Sequence, residues 1–553
     1  MTGLRHSWLA VLVACTTHSI PAVRFVNAPP VLAVNDRLDV PAQPEEREFF
    51  HDTYHYDGVF QRRLTRALEL PRAQRARGVN ALDEVPDSTW FTNRIGHRDL
   101  TPEQVRLGPL STDSPELHRP WTIRSTKIGG TTIGFIIKDA RGVKYLLKFD
   151  GREFPEVETG MHVIVNRLLW ACGYNVPEDE IVYFRREDLV VAPDAVIKKP
   201  YGGDKGKLTD AEVDRELALV EHTADGQIRA LASRWLDGKP LGGHPAEGVR
   251  GDDPNDLIPH QLRRDLRGAY SIFSWLDHVD VQEGNFLDMW TKDPATPNRH
   301  YVIHYMIDFG KSLGAMASIG FDLRRGHTYL IDLADMMKTF VTAGTIDRSW
   351  EHRAVPALPG VALFDAESYD PGSWHPDSPA YVPFLTADHI DKYWGATIVA
   401  RFTPDQIRAA VDAARLSDPR SAAYLTKTLI ARQHATALYW FARTNPLARI
   451  SVESNALCFD DLPITTGFAN VADTTRYTVT TYDDRARRLG SPMTFPAARS
   501  GRTCSPPLAL SGATADYTIV RVDTIRSGKR EPLYVHVARD TSATPRVIGI
   551  WRP

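Results

Sequence analysis

Cysteine is scarce in this chain: 4 among 553 residues (Cys15, Cys172, Cys458 and Cys504), with no C-x-x-C pair. That excludes a zinc ribbon and a dithiol redox motif. No apolar run reaches the ~20 residues that a bilayer-spanning helix needs. Neither charge sign dominates: 66 Lys+Arg face 69 Asp+Glu, a formal net charge of −3, and no basic stripe or acidic tail is present. A nucleic-acid partner is therefore not expected, and any phosphate binding has to come from a local site. Internal repeats and long low-complexity tracts are also missing. What remains is the composition of an ordinary globular protein, 42% apolar and 24% charged, too long for a single core, so two to four domains are expected.

At the N-terminus Arg5 precedes a short apolar segment, Trp8 to Ala14, that ends Leu12-Val13-Ala14-Cys15. The segment is similar to a bacterial lipoprotein signal, which implies lipidation of Cys15 and a lipid-anchored place in the bacterial cell envelope. The competing reading is a short N-terminal helix of a cytoplasmic protein. Residues 16–48, rich in proline, read as a tether. Cys172 lies in an apolar helical run and reads as a small buried hydrophobe. Cys458 and Cys504 share the C-terminal region and are free to pair in an oxidising compartment.

The pattern predicts an α+β protein. Residues 49–120 form an N-terminal extension in which Thr101-Pro102-Glu103 marks a helix start. Strands follow over Thr131 to Ile137 and Val143 to Phe149, joined by the turn at Asp139–Gly142. A helix runs from about Glu156 to Cys172, with Val157, Met161, Ile164, Val165 and Leu168 on one face, and Gly173 stops it. More short strands reach Trp235. Beyond about residue 241 the pattern turns helical, interrupted by a hairpin over Phe286 to Trp290 and Tyr301 to Ile307. From 446 to 553 alternating segments such as Tyr517 to Val522 and Leu533 to Val537 predict a small all-β domain.

The chemistry concentrates between the helical run and the hairpin. His278, Asp280 and Asn285 give H-x-D-x-x-x-x-N, and Asp308-Phe309-Gly310 follows 28 residues after Asp280. A spacing of five lets one loop aim a carboxylate and an amide inward, while Asp308 arrives on a separate strand. Upstream lie Gly129, Gly130 and Gly134 in a strand pair, and Lys148 at the end of the second strand. In this order the residues resemble the protein-kinase-like superfamily, closest to its aminoglycoside and choline phosphotransferase branch. The motifs cover about residues 122–313.

That resemblance implies a two-lobed kinase-like fold, with an N-lobe over 121–240 and a helical C-lobe over 241–445. It further implies an ATP- and Mg²⁺-dependent transfer of phosphate to a hydroxyl acceptor. Asp280 orients the acceptor, His278 braces the loop, and Asn285 and Asp308 ligate Mg²⁺. Lys148 holds the phosphates, the glycines let backbone N–H groups approach them, and Glu158, with Glu156 second, pairs with Lys148. Each has a plainer reading: an edge-strand lysine with a solvated head, a simple glycine turn, first-turn acids favoured by the helix dipole. The Lys-to-helix gap is shorter than in protein kinases, and no A-P-E-type segment follows Gly310.

Two other functions compete. One is a non-catalytic kinase-like binding module of the envelope, where ATP is scarce. The other is a metal-dependent hydrolase using His278, Asp280, His304 and Asp308. His304 and Asp308 are four apart on one strand and so about 13 Å apart, which disfavours them as joint ligands. Trp374, His375 and Tyr381 are candidates for lining an acceptor groove, although a loop packing its own aromatics accounts for them more simply.

Overall fold

Three hydrophobic cores, each organised by a different sheet or helix layer, build the 553-residue chain in a computed structural model. The structure describes residues 20–48, 56–65, 74–128, 132–199, 203–316, 320–511, 517–540 and 543–553. Cys15, Gly129 and Gly130 lie outside them. Among the described residues no helix is long and apolar enough to cross a membrane.

The first layer is a seven-stranded sheet. Its strands are β1 (Trp121–Thr126), β2 (Gly134–Lys138), β3 (Lys144–Lys148), β4 (Asp179–Phe184), β5 (Leu189–Lys198), β6 (Asp204–Lys207) and β7 (Ile228–Arg234), in the order β4-β7-β3-β2-β1-β5-β6. Only the β1–β5 contact is parallel. The turn between β2 and β3 is built by Asp139, whose Oδ1 accepts from the backbone N–H of Arg141 and of Val143, both at 2.9 Å. That turn sets the register that places Gly134 opposite Lys148. β5 runs on through Pro193 to Lys198, where it pairs with the exposed β6 over Val196 to Lys198.

Helix α1 (Val157–Cys172) is apolar on nearly every side: 14 of its 16 residues are buried. A helix of that kind belongs between two layers, and α1 packs between the sheet and the helical core. Its N-terminus is capped from a distance. Asp150, two residues beyond Lys148, accepts from the N–H groups of Glu158 (2.8 Å) and Thr159 (3.0 Å) through Oδ1. The cap, typically ~1 kcal/mol, ties the end of β3 to the start of α1. Gly173 ends the helix with a φ of 129°, and a side chain there would strike the Phe91 ring at 2.4 Å.

The helical layer contains α2 (Arg264–Leu276), α3 (His389–Val399), α4 (Pro404–Asp412) and α5 (Pro419–Phe441). All 13 residues of α2 are buried, and Trp90 and Phe91 of the N-terminal extension join the same core. Beside it a three-stranded sheet carries β8 (Lys239–Pro240), β9 (Phe286–Asp293) and β10 (Thr296–Met306). Beyond Asn445 two sheets, one of three strands and one of five, face each other across the third core. Residues 20–48, expected as a tether, lie along this body. Phe25 packs on His536 at 4.9 Å, Val40 N donates to His300 O at 2.8 Å, and Arg47 N donates to Leu241 O at 2.9 Å.

Cys458 and Cys504 form a disulfide that closes 46 residues of the C-terminal domain. The chain-entropy model assigns about 4 kcal/mol to a loop of that size. Reduction, or Cys504→Ser, should therefore lower the thermal unfolding midpoint of the C-terminal sheets. An unchanged midpoint in protein whose thiols titrate as free would contradict this.

Candidate active site

Lys148 ends β3 inside the body, 8% exposed. A buried ammonium needs a partner, and Lys148 Nζ has Asp308 Oδ1 at 2.7 Å. Asp308 follows β10 and adopts a left-handed backbone, φ 59°. Its carboxylate is half open to a cleft of about 270 Å³. Leu146, Trp235, Leu287, Met289 and Ile307 give this cleft apolar walls, while Lys127, Lys148, Arg234, Asp179 and Asp308 supply its charged lining. It is an apolar slot with phosphate-sized charge chemistry at its floor. A larger cavity of about 1020 Å³ lies between the helical layer and the C-terminal domain, but none of the motif residues line it.

The pair sets the electrostatics. Burial lowers the proton affinity of Lys148, and Asp308 and then Glu158 more than offset it, so the ammonium is held above its ordinary value. Burial pulls Asp308 upward, and Lys148 and His162 reverse this, holding the carboxyl well below the usual range. Both groups are therefore charged at neutral pH. Glu158 takes no direct ion pair with Lys148 among the described residues; Asp308 occupies that place. Glu158 instead lies over Gly310, where a side chain would meet its Cγ and Oε1 at 2.8 Å. Burial, opposed by Lys148 and reinforced by Asp308 and Asp150, pushes Glu158 up to about 7.

The loop leaving α2 brings the other motif residues alongside. Asn285 Nδ2 donates to the Asp280 carbonyl at 2.7 Å, which folds the five-residue loop back and leaves Asn285 Oδ1 as an acceptor. Ile307 N donates to Asn285 O at 3.0 Å, so Asn285 sits beside the backbone that delivers Asp308. Asp280 faces Lys311, Oδ2 to Nζ 3.0 Å. His278 is buried, with Nδ1 on Ser312 Oγ at 2.8 Å; burial, against Asp280 and Asp308, lowers it to about 4, so the ring is neutral. Phe309 is held between His278 (5.8 Å) and His162 (5.2 Å), and His162 Nε2 in turn meets Asp179 Oδ2 at 2.8 Å.

The structure thus brings Lys148, Glu158, His278, Asp280, Asn285 and Asp308 into one neighbourhood. Gly134 is needed for strand packing, since a side chain there would meet Leu147 O at 2.5 Å. His304 bonds Asp288 instead and is stacked on by Trp90, so it joins a separate cluster. Trp374 and Tyr381 are buried in the helical core and line neither of the two cavities described above. Three contributors escaped the sequence reading. Lys127 carries no motif, Lys311 lies just past D-F-G where only a missing segment was sought, and His162 is an ordinary helix residue until Phe309 arrives. Lys127 is lowered to about 8 by burial and by Lys148, and its Nζ donates to Thr132 Oγ1 at 2.7 Å.

The donors fit a hard divalent cation: one carboxylate open to the cleft and one amide oxygen, with no soft ligand. They also fit anionic phosphate, through two lysines at the slot's charged end.

Glu158 gives the site a signature in stability. Its folded value of about 7 stands above the ordinary 4.5, so the folded state retains a proton that the unfolded chain releases. Its stabilising contribution is full below pH 4.5 and is lost as pH rises through about 7. Denaturant midpoints across this window should fall more steeply for the wild-type chain than for Glu158→Gln. Parallel curves for the two proteins would refute the assignment.

No protein-family model matches the chain, and no curated protein matches it. Among solved structures, a Golgi casein kinase with Mn/ADP bound aligns with 58% of this chain and 72% of its own, at 8% identity and a TM-score of 0.29. A likeness that slight carries no argument about fold or activity.

Proposed function

We propose that the chain is a protein-kinase-like phosphotransferase that moves a phosphoryl group from a nucleoside triphosphate to a hydroxyl acceptor. The observation that carries this reading is the apolar slot that ends on the Lys148–Asp308 pair, with Asn285 and Asp280 on the adjoining loop. A base and sugar suit the apolar walls, and the triphosphate suits the lysines. ATP is the expected donor and Mg²⁺ the expected metal, held by Asn285 and Asp308.

A bound divalent cation would offset negative charge on the phosphate oxygens. The chain's own residues do the rest. Lys148 draws the phosphates to the floor of the slot and fixes the rotamer of Asp308. Lys127, which also lines the cleft, adds a second positive charge. Asp280 accepts the proton of the acceptor hydroxyl as its oxygen bonds to the terminal phosphorus and the bond to the departing diphosphate breaks. Lys311 pairs with Asp280 and orients it, and neutral His278 supports the loop through Ser312 and Phe309 without competing for the proton.

The disulfide suits an oxidising compartment, which agrees with export and a lipid anchor at Cys15 in the bacterial envelope. A cytoplasmic location is the alternative. Binding of a nucleotide without turnover would favour the non-catalytic envelope module.

Turnover of ATP in the presence of Mg²⁺, by protein starting after residue 15, tests the proposal. Asp308→Ala should cut turnover by roughly 10²–10³, the scale of losing a preorganised electrostatic contact. Asp280→Ala should cost ~10²–10⁴, as expected for a proton acceptor. Full turnover in both variants would sink the reading.

Lys127 supplies a second test. Its charged form binds phosphate and prevails below about 8. Nucleotide affinity should therefore weaken as pH rises through that value, and Lys127→Met should bind more weakly with a flatter pH profile. An identical profile in the variant would remove Lys127 from the site.

A further inference from the structure

We propose that His244, Asp288 and His304 form a second metal site, buried and separate from the nucleotide cleft, for a divalent transition ion of the zinc type. The three residues come from three segments. His244 lies in the loop after β8, Asp288 is on β9, and His304 stands directly across from Asp288 on β10. Their exposures are 1%, 0% and 5%. One ligand atom from each lies within 4.8 Å of the others. Asp288 Oδ1 is the focus, 2.6 Å from His304 Nδ1 and 3.6 Å from His244 Nδ1. Ligands of a tetrahedral zinc with bonds of ~2.1 Å stand about 3.4 Å apart, so small side-chain movements convert the cluster into a coordination set.

Hydrogen bonding alone does not account for the arrangement. Both ring nitrogens of His244 are buried and without a hydrogen-bond partner. A buried imidazole ordinarily satisfies at least one nitrogen, and Nδ1 is the one aimed at Asp288. The loop that carries His244 is fixed on both sides. At Gly243 a side chain would fall 1.9 Å from Glu283 O, and Ala246 N donates to Glu283 Oε1 at 2.8 Å. His244 is thus held in place by contacts that give it no polar partner closer than Asp288, 3.6 Å away.

The surroundings match what a metal ligand set requires. Arg250 Nη1, 3.3 Å from Asp288 Oδ2, holds the second carboxylate oxygen and leaves Oδ1 toward the imidazoles, the outer support that metal-bound carboxylates usually have. The Arg250 charge is countered by Asp252, whose Oδ1 is 3.1 Å from its Nε. Trp90 stacks on His304 at 3.5 Å and packs edge-on against His244 at 4.9 Å, closing the cluster from water. Two imidazoles and a carboxylate select zinc, cobalt or nickel over magnesium or calcium, which distinguishes this site from the oxygen ligands of Asn285 and Asp308. With a water as fourth ligand beside the three side chains, the ion would be shut off from bulk solvent. It would pin the 243–246 loop to the hairpin whose ends carry Asn285 and Asp308.

The test is elemental analysis of the full chain, purified without a polyhistidine tag, joined to cobalt substitution. The expected result is one transition-metal ion per chain, and visible d–d bands of four-coordinate Co²⁺ after chelation and reloading. His244→Ala and His304→Ala should lose the ion and unfold at lower temperature. Asp308→Ala and His352→Ala, the latter on an exposed histidine, should keep it. Should the alanine variants fail to fold, Asp288→Asn retains the shape of the cluster and should still lose the cobalt spectrum. Folded wild-type protein that is isolated free of transition metal, with a melting temperature that zinc does not move, would overturn the proposal. Metal retained in Asp288→Asn and both histidine variants would do the same.

Discussion

The charged pair between Lys148 and Asp308 is the constraint on which the rest of the molecule turns. An ammonium that ends a strand inside the body cannot remain unpaired, and its partner comes from 160 residues later in the chain. Bringing the two together requires that the end of β3 meet the segment that follows β10. Asp150, two residues past Lys148, then caps α1, so the position of the strand end also decides where that helix begins. The helix in turn lays Glu158 over Gly310 and His162 against Phe309. Sheet, helix and the β9–β10 hairpin are therefore registered by one chain of contacts centred on the pair.

The same geometry explains why the site tolerates so many charges in a small volume. Lys127, Lys148 and Lys311 face Asp280, Asp308 and Glu158. Lys127 and Lys148 line the cleft together with Asp308, and one acid carries its charge only above about pH 7. His278, buried and neutral, adds no charge of its own. Positive charge thus prevails at the cleft when Glu158 is protonated and is moderated when it ionises. An arrangement of this kind attracts a polyanion without leaving a bare cation cluster in the folded, ligand-free chain.

The sequence made the polar loops visible because each motif is local: His278 to Asn285, then Asp308 to Gly310. The strand ending in Lys148 and the helix to Cys172 were equally clear from their apolar pattern. What stayed hidden was long-range. Nothing near Lys148 announces Asp308 as its partner, and the resemblance pointed to Glu158, which sits two residues past a left-handed Glu156 (φ 63°). Asp150 reads as a loop acid, because a cap supplied from eight residues away has no local signature. His244, Asp288 and His304 are spaced irregularly and fall into register only after β9 and β10 pair. Residues 20–48 have no periodicity to detect, since they dock largely through backbone N–H and C=O groups.

That docked segment bears on the site as well as on the fold. It begins on the C-terminal sheet, where Phe25 occupies the space left by Gly549. It then crosses the hairpin, where Trp290 Nε1 donates to Val40 O at 2.8 Å. It ends at Arg47, whose guanidinium pairs with Glu283 at 2.5 Å and whose carbonyl lies 2.1 Å from where a side chain on Gly242 would be. Glu283 lies between Asp280 and Asn285, so the strap reaches the loop that carries both. The loop is held from beneath by His278 and Phe309, from the hairpin side by Ile307, and from outside by Arg47. Chain far from the motifs in sequence therefore fixes the one loop whose two side chains must point the same way, and the glycines at 242 and 243 are the residues that let it come close enough to do so.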